Sequence, residues 1–273
     1  MNVLIIGCGY VGSAVAKYWQ QKMTLVITVT TTTPERVLEL ENIAEKVVVL
    51  QGSDRAALES ALHGQDCVLL SIAPNRGISY ADTYLKTAQT VSEILKKSSV
   101  KQIIYTSTCS VYGDKNGALV DEETPTEPRN ENQKILQETE QVLLTELKDK
   151  LRVCILRLGG IYGENRELVK IYSRVAGQTR PGDGSEPSNW IHLDDIVGAV
   201  EFARHYHLQG IYNLVDDANL LNREVIARVC ETHNLPQVTW DNSQPSNRNY
   251  NAKISNQKIK DAGYKLIHPQ MIF

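Results

Sequence analysis

Short runs of β-branched and other apolar residues alternate along this chain with longer amphipathic stretches. The first run, Val3–Ile6, predicts a strand, and Val11–Lys22 after it predicts a helix. Leu25–Thr30 predicts a second strand and Pro34–Glu45 the next helix. Val47–Leu50, Cys67–Ile72 and Gln102–Thr106 read as further strands, with a long helix over Tyr80–Lys97 before the last of them. Glu131–Leu147 reads as a helix and Arg152–Leu158 as another buried strand. Alternation of this kind predicts an α/β fold, a doubly wound parallel sheet covered by helices on its faces.

Beyond residue 158 the rhythm loosens. Gly177–Asn189, with Pro181, Gly182, Gly184 and Pro187, predicts a loop or lid. Ile196–His205 and Arg223–His233 predict helices flanking a strand at Ile211–Val215. The expected organisation is a nucleotide-binding domain over 1–158, to which 190–215 returns. Residues 159–189 and 216–273 then form a small C-terminal substrate lobe.

Composition narrows the function classes. The 273 residues are 42% hydrophobic and 22% charged with a net charge of -3, which gives no electrostatic footprint for nucleic acid or an anionic membrane. No apolar run reaches the ~18 residues of a membrane helix, and the first strand follows Met1-Asn2 directly, so no leader segment and a cytoplasmic location are expected. The five cysteines (Cys8, Cys67, Cys109, Cys154, Cys230) are scattered without a CxxC pair. They read as reduced core thiols, and no metal site is expected from them.

The chemistry begins at Gly7-Cys8-Gly9-Tyr10-Val11-Gly12, which has the G-x-G-x-x-G form after a strand and at the opening of a helix. In that context Gly7 allows the tight turn and Gly9 lets the backbone approach a pyrophosphate. Gly12 lets helix and strand pack closely, while the N–H groups at Tyr10 and Val11 open the helix toward the phosphates. The fold is therefore expected to be Rossmann-type. From Ser13 to Pro34 there is no acidic residue to receive the ribose 2′-OH of NAD. Thr30-Thr31-Thr32-Thr33 stand there instead, followed by Pro34-Glu35-Arg36, with Thr33 and Pro34 reading as a helix N-cap and first turn. Thr30, Thr31 and Arg36 are thus candidates for a 2′-phosphate, which favours NADP over NAD. The competing reading makes the threonines strand and loop residues and leaves Arg36 solvated beside Glu35. Asp54 is a candidate for the adenine edge or an exposed turn carboxylate. Ser71, Ile72, Ala73 and Thr106 lie at strand ends where such ligands pass.

Further blocks follow in order: Tyr105-Thr106-Ser107-Thr108-Cys109-Ser110-Val111-Tyr112-Gly113, Asp121-Glu122-Glu123-Thr124-Pro125, Leu156-Arg157-Leu158-Gly159-Gly160-Ile161-Tyr162-Gly163, Ile191-His192-Leu193-Asp194-Asp195-Ile196 and Ile211-Tyr212-Asn213-Leu214. With the glycine motif they resemble the extended short-chain dehydrogenase/reductases, the NAD-dependent epimerase/dehydratase family, from Asn2 to about Pro269. Lys253-Ile254-Ser255-Asn256 and Leu266-Ile267-His268-Pro269 resemble the family's C-terminal sequence, so a complete chain is expected. The resemblance implies a Ser/Thr, a Tyr and a Lys at the reacting centre. Thr108 matches the first and Lys134 the last, where it would also hold the nicotinamide ribose. Asn130 stands four residues before Lys134, where the Tyr belongs, and no tyrosine occurs between Tyr112 and Tyr162. An amide does not titrate near neutral pH, so it holds an oxygen without shuttling its proton.

The resemblance also places Ser110, Tyr112, Arg157, Arg166 and Trp190 on the substrate side. Tyr112 is a surrogate acid/base or a packing residue; Arg157 and Arg166 are basic grips for a diphosphate. Trp190 stacks on a ligand or closes a lobe. Glu131 and Glu138 are carboxylates that titrate only if buried, and His192 reads as paired with Asp194 or Asp195. Three functions stay open. The first is an NAD(P)-binding oxidoreductase acting on a hydroxyl or carbonyl of a small-molecule substrate, sugar-derived or otherwise. The others are a non-catalytic NADP(H)-binding redox sensor or partner-binding protein, and an epimerase or dehydratase with a carboxylate base. The helices Tyr80–Lys97 and Glu131–Leu147 are where the family forms a homodimer.

Overall fold

The computed structural model of the chain describes residues 1–74, 77–248 and 250–273. In chain order it runs β1 (Asn2–Ile6), α1 (Tyr10–Lys22), β2 (Val26–Thr31), α2 (Val37–Leu40), β3 (Lys46–Val49), α3 (Arg55–Leu62), β4 (Cys67–Leu70) and α4 (Thr87–Leu95). Next come β5 (Gln102–Thr108), β6 (Asp114–Val120), α5 (Glu131–Leu147), β7 (Arg152–Leu158), β8 (Gly160–Tyr162), α6 (Leu168–Tyr172) and β9 (Thr179–Pro181). The rest is β10 (Trp190–His192), α7 (Leu193–His205), β11 (Gly210–Leu214), α8 (Asn222–Thr232), β12 (Thr239–Asp241), β13 (Asn251–Ile254) and α9 (Gln257–Asp261).

One compact unit comprises Met1–Thr108, Asn130–Arg157 and Val197–Tyr212. It is built on the seven-stranded sheet β3-β2-β1-β4-β5-β7-β11. β1 pairs in parallel with β2 on one side (Val3↔Ile27) and with β4 on the other (Val3↔Cys67), so the winding reverses between β1 and β4. Leu4, Ile5, Val68, Leu69, Ile103 and Ile104 are fully buried, as strands covered on both faces must be. α1 turns Val15, Ala16 and Trp19 to this core. The Trp19 indole N–H donates to Glu201 Oε2 at 2.8 Å, which satisfies the one polar atom of that ring.

Two elements differ from expectation here. The helix expected over 34–45 shrinks to a 3₁₀ turn at Pro34–Arg36 and the four-residue α2. Within α2 only Leu40 is buried while Leu38 is 79% exposed, so there is no continuous apolar stripe to carry it further. The Asn42 amide then donates back to Leu38 O and Glu39 O, closing the turn. The helix α3, conversely, was not anticipated. The long helix over Tyr80–Leu95 is present but carries a π-helical segment at Asp82–Lys86.

The other unit comprises Cys109–Arg129, Leu158–Ile196 and Asn213–Phe273. It takes in 109–129 and 190–196, which the sequence reading assigned to the nucleotide-binding part. Three two-stranded parallel ladders stiffen it, β8 with β10, β9 with β12 and β6 with β13. β9 lies in the segment expected to be irregular. Tyr162, Leu168, Val225, Ile226 and Val229 form one core cluster; Cys109, Tyr112, Val120, Val215, Ala252 and Ile254 form another. Among the described residues no helix is long and apolar enough to cross a membrane, and all five cysteines are buried and in no disulfide.

Candidate functional site

The glycine turn closes where it must and stays open where a ligand needs it. Gly7 sits at φ +89, a conformation that side chains resist, and a Cβ there would lie 2.5 Å from Ser71 O. A Cβ on Gly12 would lie 2.5 Å from Gly7 O. A Cβ on Gly9 would meet nothing within 4 Å. The turn is pinned from β2, whose Thr30 Oγ1 accepts from Gly7 N (3.0 Å) and whose Thr30 O accepts from Cys8 N (2.8 Å). Gly9 is the N-cap of the 13-residue α1, with no side-chain cap and no acid in the first turn. The first turn of α1, at Tyr10 and buried Val11, thus opens beside the space over Gly9.

The adenosine side is more specific than the threonine run suggested. Thr30 and Thr31 are buried (2% and 6% exposed), with Thr30 spent on the glycine turn and Thr31 Oγ1 accepting from Thr33 N at 3.1 Å. Their expected role as 2′-phosphate donors gives way to shaping the turn. Thr33 occupies the N-cap of the 3₁₀ turn without a side-chain capping bond, and α2 is too short to present a helix terminus. Arg36 remains. It donates from Nη1 to Cys8 O (2.5 Å) and from Nη2 to Ser13 Oγ (3.3 Å), which sets it against the glycine loop. Glu39 receives Nε and Nη2 at 3.2 and 2.9 Å, and this partner raises the guanidinium further and lowers Glu39. Asp54 is exposed and caps α3, accepting from Ala57 N at 3.1 Å.

At the ends of β4 and β5, Thr106 Oγ1 donates to Ser71 Oγ at 3.1 Å, and Ser71 N donates to Ile6 O at 2.9 Å. Ile72 and Ala73 follow β4 outside any helix or strand, and Thr108 closes β5 half-buried. Gly7, Gly9, Ser71, Thr106 and Thr108 thus occupy the carboxyl edge of one sheet. Asn130 is the N-cap of α5: its Oδ1 accepts from Gln133 N at 2.9 Å. The position that the resemblance gives to a tyrosine is occupied by a capping side chain. Lys134 is 57% exposed and lies 3.9 Å from Glu138, with Glu131 also exposed. Glu140, on the same helix, is fully buried. It accepts from Ser107 Oγ (2.5 Å) and from Arg157 Nη2 (2.6 Å) and Nε. Arg157 is 3% exposed, which places it inside the sheet unit as the partner of Glu140 and corrects its reading as a substrate grip.

The sequence profile of the NAD dependent epimerase/dehydratase family matches residues 3–214. The chain belongs to that family. Protein YeeZ of Escherichia coli K12 is 29% identical over 228 residues, covering 80% of this chain and 78% of its own. The N-acetyl-α-D-glucosaminyl-diphospho-ditrans,octacis-undecaprenol 4-epimerase of Escherichia coli O157:H7 is 28% identical over 66% of this chain and 59% of its own. Among solved structures, dTDP-glucose 4,6-dehydratase from Bacillus anthracis in complex with NAD superposes with a TM-score of 0.82 at 22% identity, covering 98% of this chain and 92% of that one.

As a member of the epimerase/dehydratase family, the chain departs from expectation at several residues of its second unit as well. Tyr112 is fully buried and its OH donates to Asn213 Oδ1 at 2.8 Å, so it packs a core instead of serving as an acid/base. Ser110 lies in the 3₁₀ turn Cys109–Tyr112 and its carbonyl accepts from Gly113 N at 3.2 Å. Arg166 is exposed and its N–H donates to Gly163 O at 2.9 Å, forming a small antiparallel bridge. Trp190 packs edge-on against Tyr162 and Tyr172 of its own unit, at 6.2 and 5.9 Å. His192 does approach Asp194, at 3.5 Å, and its second neighbour is His268, with ring centroids 4.0 Å apart. Burial first and His268 second lower the His192 pKa. The sequence reading missed the His192–His268 contact and the Glu140–Arg157 pair. No spacing rule joins residues so far apart, although a Glu inside the apolar face of α5 was a visible signal.

Proposed function

We propose that this chain binds a nicotinamide dinucleotide, NADP(H) in preference to NAD(H), and performs hydride chemistry on a hydroxyl or carbonyl of a sugar-derived small molecule. The observation that carries the cofactor half is the open space over Gly9, flanked by two glycines that tolerate no side chain. The pyrophosphate would rest against Gly9 and the N-terminus of α1, and a 2′-phosphate would compete with Glu39 for Arg36. When bound, the nicotinamide supplies the hydride acceptor or donor. Thr108 orients the substrate oxygen at the end of β5, and the proton is exchanged with water, because Asn130 cannot titrate and the Tyr112 hydroxyl is enclosed. Support for a sugar-derived substrate comes from relatives named as epimerases and dehydratases of such compounds.

A second reading is a dinucleotide-binding sensor that turns nothing over, favoured by Asn130 as a helix cap and by the exposure of Lys134. Thr108→Ala separates the two. Assayed with NADPH or NADP and a panel of sugar-derived carbonyl and hydroxyl compounds, the catalytic reading predicts turnover that falls about a hundredfold in the variant while nucleotide affinity stays unchanged. Nucleotide binding with no turnover by the unaltered chain across the panel supports the sensor.

A further inference from the structure

The loop edge of the second unit holds a side-chain cluster that the dinucleotide reading does not use. His192 ends β10, Asp194 stands in the first turn of α7, and His268 lies in the C-terminal segment. One ligand atom of each lies within 4.8 Å of the other two. Asp194 Oδ2 is 3.5 Å from His192 Nδ1 and 3.0 Å from His268 Nε2. Ligands bound at ~2.0–2.2 Å around a tetrahedral ion stand roughly 3.3 Å apart, so both separations match edges of such a polyhedron. Burial grades across the cluster in the way a half-open site needs: the side chains are 13%, 24% and 59% exposed for His192, His268 and Asp194. Solvent therefore reaches the carboxylate side, where water would complete the coordination.

We propose that His192, Asp194 and His268 bind a divalent transition-metal ion, with zinc the best match to two imidazoles and one carboxylate. The two imidazole ring centroids lie 4.0 Å apart with the planes tilted by 54°, which brings both rings within reach of one ion. Their supports are in place. Asp195 accepts from Ile267 N (2.5 Å) and His268 N (3.0 Å), which holds the backbone that carries the second histidine. Tyr162 packs edge-on to His192 at 5.0 Å, and its OH accepts from Ile272 N at 3.3 Å. The carboxylates of Asp194 and Asp195 offset the positive end of α7, which would otherwise oppose a cation. His192 Nδ1 also accepts from Asp194 N at 3.2 Å, a long bond that the ion displaces. The ion would pin the C-terminal segment to the β10–α7 junction. All five cysteines are buried, so no thiol at the surface competes.

The test is calorimetric titration of zinc chloride into chelator-treated protein without a histidine tag, alongside His268→Ala, Asp194→Asn and the control His233→Ala. Expected is saturable one-to-one binding by the unaltered chain and by His233→Ala, weakened at least about tenfold in the other two. A zinc-dependent rise in Tm should follow the same pattern. No saturable binding by the unaltered chain, or equal affinity in His268→Ala, overturns the site. Should His268→Ala fail to fold, Asp194→Asn decides, because its side chain is 59% exposed and carries no packing.

Discussion

An arginine that donates to a glycine-loop carbonyl and to Ser13 while paired with Glu39 has two functions that mutation can separate. If Arg36 only braces the loop, Arg36→Ala weakens NADPH and NADH alike. If it faces a 2′-phosphate, NADPH affinity falls by about tenfold, roughly 1.4 kcal/mol, and NADH affinity barely changes. The proposed NADP preference predicts the second result in parallel titrations. Releasing Arg36 by Glu39→Gln should then strengthen NADPH binding, an effect that added salt reduces. The absence of an acid from Ser13 to Pro34 was legible in the sequence. What the sequence could not supply was that both Thr30 and Thr31 are buried, with Thr30 Oγ1 accepting from Gly7 N and Thr31 Oγ1 from Thr33 N.

At the scale of elements, α5 carries both the capping side chain of Asn130 and the fully buried carboxylate of Glu140. Asn130→Ala removes its N-cap and should cost about 1 kcal/mol in urea unfolding, whereas Asn130→Asp, an equally good cap, should cost little. Equal losses in the two would mean that the cap contributes nothing. Arg157→Met leaves Glu140 buried without its cation and should cost on the order of 3–5 kcal/mol. The strands β1, β2, β4 and β5 and helices α1 and α5 were legible because their apolar residues are buried, and the half-exposed edge strand β3 through its run of valines alone. α2 was overcalled because Thr33-Pro34 marks a start and says nothing of an end. α3 was missed although Asp54 caps it, since eight residues give a weak period. β6 was missed for a different reason: Asn116 and Gly117 adopt positive φ in its middle, so its sequence reads as a turn. The partner that makes it a strand, β13, lies far along the chain and is invisible to local pattern.

At the scale of the whole molecule, one buried carboxyl ties stability to pH. Asp216 is 7% exposed, and burial raises its pKa from 3.8 to about 7, opposed in part by the bond from Ala218 N. A carboxyl raised on folding contributes stability that is fully present below the unfolded pKa near 4 and is lost as pH climbs through about 7. Asp216→Asn keeps the acceptor for Ala218 and removes the charge. Its Tm relative to the unaltered chain should therefore climb between about pH 5 and pH 8, by an equivalent of order 2–4 kcal/mol. A difference that stays flat with pH would show that Asp216 ionises normally. The central claim is tested most directly by calorimetric titration of NADPH and NADH into the unaltered chain and Gly9→Val. A Cβ at that position meets no protein atom within 4 Å, and a valine side chain projects into the space assigned to the pyrophosphate. The account predicts NADPH binding tighter than NADH binding, both abolished in a variant whose Tm is nearly unchanged. Dinucleotide affinity retained in Gly9→Val, or no binding by the unaltered chain, would contradict it.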